Sequence, residues 1–264
     1  MKTKLAKTEL ALIASMLFGL FFGAGNLIFP IRMGQLAGAN MWIAFLGLLI
    51  TGVGLPLLGV ASIGISRSDG LIELSGKVGR GYSVFFTCAL YLTIGPFFAI
   101  PRCGAVSFTI GMQSMLGEGA YTKGVLVVFS LLFFLAVLVL SLNPGEILTW
   151  VGKVLTPLFL IFLGALVAAA LIHPMGNISE MAASGNYATQ PFVAGFLEGY
   201  NTMDALASLA FGIVVITVIR DLGVKEPGAV AAHTVKAGVF SCLFMGLIYL
   251  AVAMVGAQTG TLYA

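Results

Sequence analysis

The fold is decided by the stretch Phe21-Phe22-Gly23-Ala24-Gly25-Asn26-Leu27-Ile28-Phe29-Pro30, which interrupts the apolar run of residues 10–31. The run is long enough to cross a lipid bilayer as a helix. Its centre nevertheless holds two glycines and an asparagine, followed four residues later by a proline, and these residues loosen a helix. Hydrocarbon cannot satisfy the backbone groups of an unwound turn, so the break must lie inside the protein or beside a polar cavity. Broken helices of this kind carry the substrate and ion sites of secondary transporters, which makes transport the first functional hypothesis.

The composition indicates the class of protein. Hydrophobic residues make up 59% of the chain and charged residues 9%, against about 25% charged residues in a typical soluble domain. The mean hydropathy is +1.08. We therefore expect an all-α polytopic membrane protein that contacts membrane lipids. The net charge of +3 gives no reason to expect nucleic acid as a partner.

Seven apolar runs are candidates for membrane spans, and together they form a single membrane domain over residues 1–264. They are residues 10–31, 41–65, 82–101, 124–142, 154–172, 192–219 and 237–258. The loops between them differ in positive charge, which sets orientation in a membrane. With the N-terminus inside, the inner loops hold Lys2, Lys4, Lys7, Arg67, Lys77, Arg80, Lys153, Arg220, Lys225 and Lys236. The outer side holds Arg32, Arg102 and Lys123, so we predict a cytoplasmic N-terminus.

The sixth span repeats the interruption of the first. It contains Glu198-Gly199-Tyr200-Asn201-Thr202-Met203-Asp204 near its centre. Because the two breaks lie five spans apart, an odd number, the second copy runs opposite to the first, as in an inverted repeat. We predict a five-plus-five architecture, with residues 10–172 as the first repeat and residues 192–264 as the start of the second. The alternative is that glycine and polar residues only let these helices pack closely.

Two facing helix breaks offer the groups that a zwitterionic amino acid needs. Amides at a helix N-terminus suit a carboxylate, and freed carbonyls suit an ammonium group or a small cation. An aliphatic side chain would need an apolar wall, for which Phe97, Phe98 and Tyr200 are candidates. The predicted substrate-binding residues are Ala24, Gly25, Asn26, Phe97, Phe98, Gly199, Tyr200 and Asn201.

Three residues at the breaks are candidates for binding the coupling ion. Asn26 offers a neutral side-chain oxygen that suits sodium, with an interhelical hydrogen bond as the alternative role. Asp204 is an acid inside a span, where it would carry a proton, bind a cation together with Thr202, or bond a polar neighbour. Glu198 is expected in the outer vestibule. Arg102 is interpreted as an anchor at the outer end of the third span.

Three motifs together resemble the bacterial branched-chain amino acid:cation symporters. They are Gly23-Ala24-Gly25-Asn26-Leu27-Ile28-Phe29-Pro30, Gly95-Pro96-Phe97-Phe98-Ala99-Ile100-Pro101-Arg102 and Glu198-Gly199-Tyr200-Asn201-Thr202-Met203-Asp204. The resemblance implies import of leucine, isoleucine and valine with sodium or protons, by alternating access across the plasma membrane. It also implies the fold of the amino acid–polyamine–organocation superfamily. The first motif is similar to the break of the sodium-coupled neurotransmitter symporters, in which the position of Asn26 binds the cation.

The number of spans departs from that family. Its architecture has ten core spans and its members usually about twelve, whereas this chain provides seven. We therefore expect the second repeat to be incomplete at its C-terminal end, and residues 1–264 alone not to act as a carrier. The ranking among the three substrates, the choice between sodium and protons, and the oligomeric state stay open.

Other classes of membrane protein fit the sequence less well. A channel also uses broken helices, and another amino acid or small-solute transporter would share the same motifs. A seven-span receptor is the weakest alternative, because such proteins usually begin outside. An enzyme would need a nucleophile with its base, or metal ligands, inside the spans, but His173 and His233 both lie at span edges. We expect no enzymatic activity and no cofactor beyond the coupling ion.

Overall fold

The computed structural model describes residues 4–113, 123–142, 146 and 148–259. Lys2, which contributes to the predicted orientation, and residues 260–264 of the predicted second repeat lie outside the described residues. The elements are helical, which confirms the all-α class. The α-helices are α1 (Lys7–Phe21), α2 (Ala24–Ala37), α3 (Met41–Leu49), α4 (Leu55–Ser66), α5 (Leu71–Gly76), α6 (Arg80–Leu92), α7 (Ala99–Ser107), α8 (Lys123–Ser141), α9 (Thr156–Ile172), α10 (Asn186–Thr189), α11 (Pro191–Asn201), α12 (Asp204–Asp221) and α13 (Pro227–Thr259). Short 3₁₀ or π segments adjoin several of them, at Gly38–Asn40, Ile50–Gly54, Thr93–Phe97, Phe108–Gln113, Leu148–Leu155 and Ile178–Glu180.

Six helical stretches of the described chain are long and apolar enough to cross a membrane. They are Ala24–Ser66, Arg80–Met112, Lys123–Ser141, Leu148–Ile172, Pro191–Asp221 and Pro227–Thr259. The sequence predicts seven, and the difference lies at the first one. Helix α1 has 15 residues, fewer than the ~20 that a crossing needs, and α2 continues through Gly38–Asn40 into the predicted second span. A separate first crossing made of α1 and the start of α2 stays a prediction.

Both helix breaks predicted from the sequence are present. The backbone is extended at residues 22–23, between α1 and α2, and the side-chain oxygen of Asn26 accepts a hydrogen bond from the Gly23 N–H at 2.9 Å. Between α11 and α12 the chain turns at Met203, whose φ of 67° lies in the left-handed region. Residues other than glycine rarely adopt this conformation, so tertiary packing must hold Met203 there.

Helix α13 is the central packing element, because it lies against α1, α2 and α4. Its contact with α2 is a backbone-to-backbone approach through two glycines. A Cβ atom added to Gly34 would collide with the carbonyl oxygen of Ala253, and one added to Gly256 would collide with that of Ile31. Small residues allow such close approach between membrane helices, which associate by van der Waals packing.

Helices α3 and α11 also approach each other backbone to backbone through two glycines. A Cβ atom added to Gly47 would collide with the carbonyl oxygen of Phe192, and one added to Gly195 would collide with that of Ala44. Helix α12, which follows the second break, packs on α4. The two halves of the sixth predicted span therefore lie along the second predicted span.

We expect Gly195→Ala to destabilise the fold, because the new methyl group overlaps the backbone of α3 and the two helices must separate. The cost should be about 1–3 kcal/mol, as for other overpacked sites, and should lower the thermal midpoint measured in detergent. Gly164→Ala in α9 is the matched control, since a Cβ atom there has nothing within 4 Å. Equal midpoints for the two variants would contradict the close approach of α3 and α11.

Candidate functional site

The two helix breaks meet at the carboxylate of Asp204, whose side chain is 1% exposed. Its Oδ2 atom accepts hydrogen bonds from Asn26 Nδ2 at 2.7 Å and from the Tyr249 hydroxyl at 2.5 Å. The Thr202 hydroxyl lies 2.9 Å from the same oxygen. Asn26 Nδ2 also donates to the Tyr249 oxygen. We call these four buried residues the Asp204 cluster.

Local backbone structure places each member of the Asp204 cluster. Asp204 is the first residue of α12, where the positive end of the helix dipole stabilises a carboxylate. Asn26 lies in the first turn of α2, where its side-chain oxygen is held by the Gly23 N–H and its amide nitrogen is free to point at Asp204. Thr202 lies in the break itself, and Tyr249 comes from the middle of α13. The cluster therefore joins three helices and both breaks.

The chemistry of the Asp204 cluster suits a small hard cation or a proton. Its side chains offer one carboxylate together with hydroxyl and amide oxygens, which are the ligands that hard cations prefer. The bond between Asn26 and Asp204 links α2 to α12, as in the alternative role considered for Asn26. The amide oxygen of Asn26 carries one hydrogen bond and keeps a second lone pair. The assignment of Asn26, Thr202 and Asp204 to ion coupling stays a prediction.

Arg102 lies at the second break, whereas the sequence places it as an anchor at the outer end of a span. Its Nη1 atom donates to the carbonyl oxygen of Asn201 at 3.1 Å, and its Nη2 atom lies 3.5 Å from that of Thr202. The guanidinium also lies over the rings of Phe29 and Phe98, at 5.5 and 5.3 Å from their centroids. A cation at these carbonyls is favourable because they form the negative end of α11. The anchor interpretation of Arg102 is therefore wrong.

The predicted substrate residues divide into those near the breaks and those elsewhere. Ala24 and Gly25 open α2, where amide groups lack intrahelical partners, and a Cβ atom on Gly25 would lie 3.0 Å from Arg102 Nη2. Asn201 closes α11, and its side chain donates to Glu198 at 3.1 Å. Gly199 instead packs against α3, where a Cβ atom would meet the backbone of Leu48.

The three aromatic residues of the predicted wall, Phe97, Phe98 and Tyr200, are all exposed in the structure. Phe98 packs against Arg102. Phe97 is 74% exposed and Tyr200 is 50% exposed, whereas the four residues of the Asp204 cluster are buried. The role of these three aromatic residues in binding an aliphatic side chain stays a prediction.

Tyr249 is the residue that sequence reasoning missed. It is fully buried and bonds both Asp204 and Asn26, with its ring 6.0 Å from that of Phe22. A signal was present, because Tyr249 carries a hydroxyl in the middle of an apolar span. Polar groups at that depth need a partner, so a search for buried hydroxyls would have found it.

Tyr249→Phe should destabilise the protein by about 1–3 kcal/mol, because Asp204 loses a donor and Asn26 loses an acceptor while both stay buried. The measurement is the free energy of unfolding in detergent. Tyr82→Phe is the control, since the Tyr82 side chain is 47% exposed. A loss no greater than that of the control would contradict the hydrogen bonds at Tyr249.

Arg102→Gln should loosen the second break, because the carbonyls at the end of α11 lose a charged donor. Amide hydrogen exchange over residues 199–206 should become faster, by a few-fold to about tenfold, without a change elsewhere. Arg80→Gln, an exposed arginine at the start of α6, is the control. Unchanged exchange over residues 199–206 would show that Arg102 does not hold the break.

Comparison with known proteins gives a consistent result. Residues 6–264 match the family model described as branched-chain amino acid transport protein. The branched-chain amino acid permease BrnQ of Lactobacillus delbrueckii subsp. lactis is 56% identical over 261 residues, which are 99% of this chain and 58% of that relative. The proteins named BrnQ from Bacillus subtilis and Escherichia coli K12 are 44% and 38% identical, over 98% and 99% of this chain and 58% of each relative.

The chain thus spans less than two thirds of the length of these relatives. No solved structure matches it. The match to the family model covers nearly the whole chain, and the helix breaks that carry the resemblance are present in the structure. This multi-pass membrane protein belongs to the branched-chain amino acid transport protein family.

Proposed function

We propose that this protein is a secondary symporter of the plasma membrane that imports leucine, isoleucine and valine together with sodium or protons. The observation that carries the proposal is the Asp204 cluster, in which one buried carboxylate joins two broken helices. The relatives are named permeases and carriers of branched-chain amino acids, which supports transport rather than catalysis. Gradient-driven accumulation is what separates this proposal from a channel.

The substrate would lie between the two helix breaks. Its carboxylate faces the start of α2, where the amides of Ala24 and Gly25 and the helix dipole favour an anion. Its ammonium group faces the carbonyls that end α11. Since Arg102 donates to the carbonyl of Asn201 in this structure, the ammonium group competes with the guanidinium for that oxygen. Substrate binding then moves Arg102 away from α11.

Coupling to the ion follows from the hydrogen bonds of Asp204. A proton on the carboxylate, or a sodium ion held by Asp204, Asn26 and Thr202, replaces donors that now tie α2 and α13 to α12. The ion therefore binds the conformations with different free energies, which is the physical requirement for coupling. A single carboxylate matches a single monovalent cation.

The pattern of helix contacts supports the inverted repeat and its seven crossings. If α1 and α2 form one broken crossing, this crossing packs on α13, while the other broken crossing, α11 and α12, packs on α3 and α4. An inverted repeat that relates the first crossing to the sixth and the second to the seventh requires this exchange of partners. In this proposal residues 10–172 form the first repeat and residues 192–264 the start of the incomplete second one. The distribution of lysine and arginine supports a cytoplasmic N-terminus.

Uptake of labelled leucine into proteoliposomes tests the function, with the chain continued by the remaining part of the Lactobacillus relative. We expect accumulation against a gradient, with competition by unlabelled isoleucine and valine. Lysine and glutamate should not compete, because their side-chain charges would be buried without a partner. Leucine entry without accumulation would indicate a channel, and equal competition by lysine would contradict an aliphatic site.

Imposed gradients of sodium or of pH then decide the coupling ion. If sodium is the ion, Asn26→Ala should raise the sodium concentration for half-maximal uptake by about tenfold, the loss expected for one ligand of a buried cation. Thr217→Ala, on the exposed side of α12, is the control. Uptake driven by pH alone and unchanged by Asn26→Ala would remove the sodium assignment and make Asp204 the proton carrier.

A further inference from the structure

A cavity of about 490 Å³ lies on the side of the molecule where the connection between α9 and α11 runs. We call it the loop-side cavity. Its lining includes one positive and one negative side chain, polar side chains and leucine side chains. The residues that matter are Arg32, Leu36, Tyr187, Leu197, Glu198 and Asn201. None of them belongs to the Asp204 cluster.

The walls of the loop-side cavity are tied to one another by hydrogen bonds. The Ser184 N–H donates to the carbonyl of Leu36 at 2.8 Å, and the Asn40 side chain donates to the carbonyl of Tyr187 at 3.0 Å. Gly185, with a φ of 54°, turns the chain over the cavity in a conformation that suits glycine. The connection before α11 therefore forms one wall of the loop-side cavity and is hydrogen-bonded to α2 and to the 3₁₀ segment before α3.

The two charges face the loop-side cavity without meeting each other. In the part of the chain that the structure describes, Arg32 makes no hydrogen bond and no ion pair. Glu198 receives one hydrogen bond, from Asn201 to its Oε2 atom, and keeps further acceptor positions. Both charges act on Tyr187. Burial and the negative charge of Glu198 raise the pKa of its phenol above the usual value, and the positive charge of Arg32 partly offsets this rise. The space between Arg32 and Glu198 thus has a positive and a negative end.

We propose that the loop-side cavity binds a second free amino acid as a zwitterion. Arg32 binds the carboxylate, Glu198 and the side-chain oxygen of Asn201 bind the ammonium group, and Leu36 and Leu197 contact the aliphatic side chain. Arg32 is exposed, so it can exchange water for a ligand, and Glu198 is partly buried. A zwitterion pairs with both charges at once, whereas an anion or a cation alone pairs with one of them. The volume lies within the range of small-molecule sites.

The second site shares Asn201 with the proposed transport site, through its side chain in the one and its backbone carbonyl in the other. Arg32, Leu197 and Glu198 belong to the second site alone, so variants at these three residues let the two proposals fail independently. The stoichiometry of labelled leucine tests both, measured on the purified chain continued by the remaining part of the Lactobacillus relative. We expect two leucines per chain in the wild type, and one in each of the variants Arg32→Gln, Glu198→Gln and Leu197→Trp. The first two remove one charge each, and the third fills the cavity without changing its charge. Arg67→Gln and Glu146→Gln are controls that remove exposed charges elsewhere.

The Asn26→Ala variant isolates the second site at leucine concentrations below saturation. Asn26 is a predicted substrate-binding and ion-binding residue of the transport site, so its loss should weaken leucine binding there by at least about tenfold. In that background leucine should still bind, and leucinamide or 4-methylpentanoate, which each lack one charge, should compete at least about tenfold more weakly. Unchanged stoichiometry in Arg32→Gln and Glu198→Gln would overturn the second site. One leucine per chain, lost in Asn26→Ala only, would leave the transport site alone standing. One leucine per chain, lost in Arg32→Gln only, would leave the second site alone standing. No leucine binding at all would overturn both sites.

Discussion

The structure depends on how one buried carboxylate is satisfied. An ionisable group inside a membrane protein is costly unless it is paired or hydrogen-bonded, and Asp204 is nearly inaccessible. Its Oδ2 atom has three donors within reach, supplied by α2, by the second break and by α13. Each donor fixes the position of the element that carries it. The extended backbone at residues 22–23 and the left-handed conformation of Met203 are the local changes that accompany the approach of these groups to one oxygen.

Close packing of the surrounding helices determines how near the members of the Asp204 cluster lie to one another. Where α2 crosses α13 and where α3 crosses α11, glycines let the backbones touch. A side chain at any of these positions would move a whole helix, and with it a member of the Asp204 cluster or a wall of the loop-side cavity. The small residues of the spans are thus part of the functional site, although they contribute no chemical group to it.

Arg102 lies between the two candidate sites. Its guanidinium contacts Phe29 and the carbonyl of Asn201, and both of these residues also line the loop-side cavity. On its other side it approaches the carbonyl of Thr202, whose hydroxyl lies beside Asp204. Arg102 therefore contacts residues of both candidate sites.

The sequence by itself determined the class of the protein and the positions of both helix breaks, and it singled out Asn26, Thr202 and Asp204, which the structure brings together. These features are local: hydropathy over about 20 residues indicates a span, and glycine, asparagine and proline act on their own backbone. The tertiary structure alone decided that Tyr249 completes the cluster and that Arg102 caps α11. It also leaves Phe97 and Tyr200 exposed, whereas the Asp204 cluster is buried. Tyr249 is 223 positions from Asn26 and Arg102 is 99 from Asn201, so their contacts depend on how helices pack across the whole fold. No pattern within a single span contains that information.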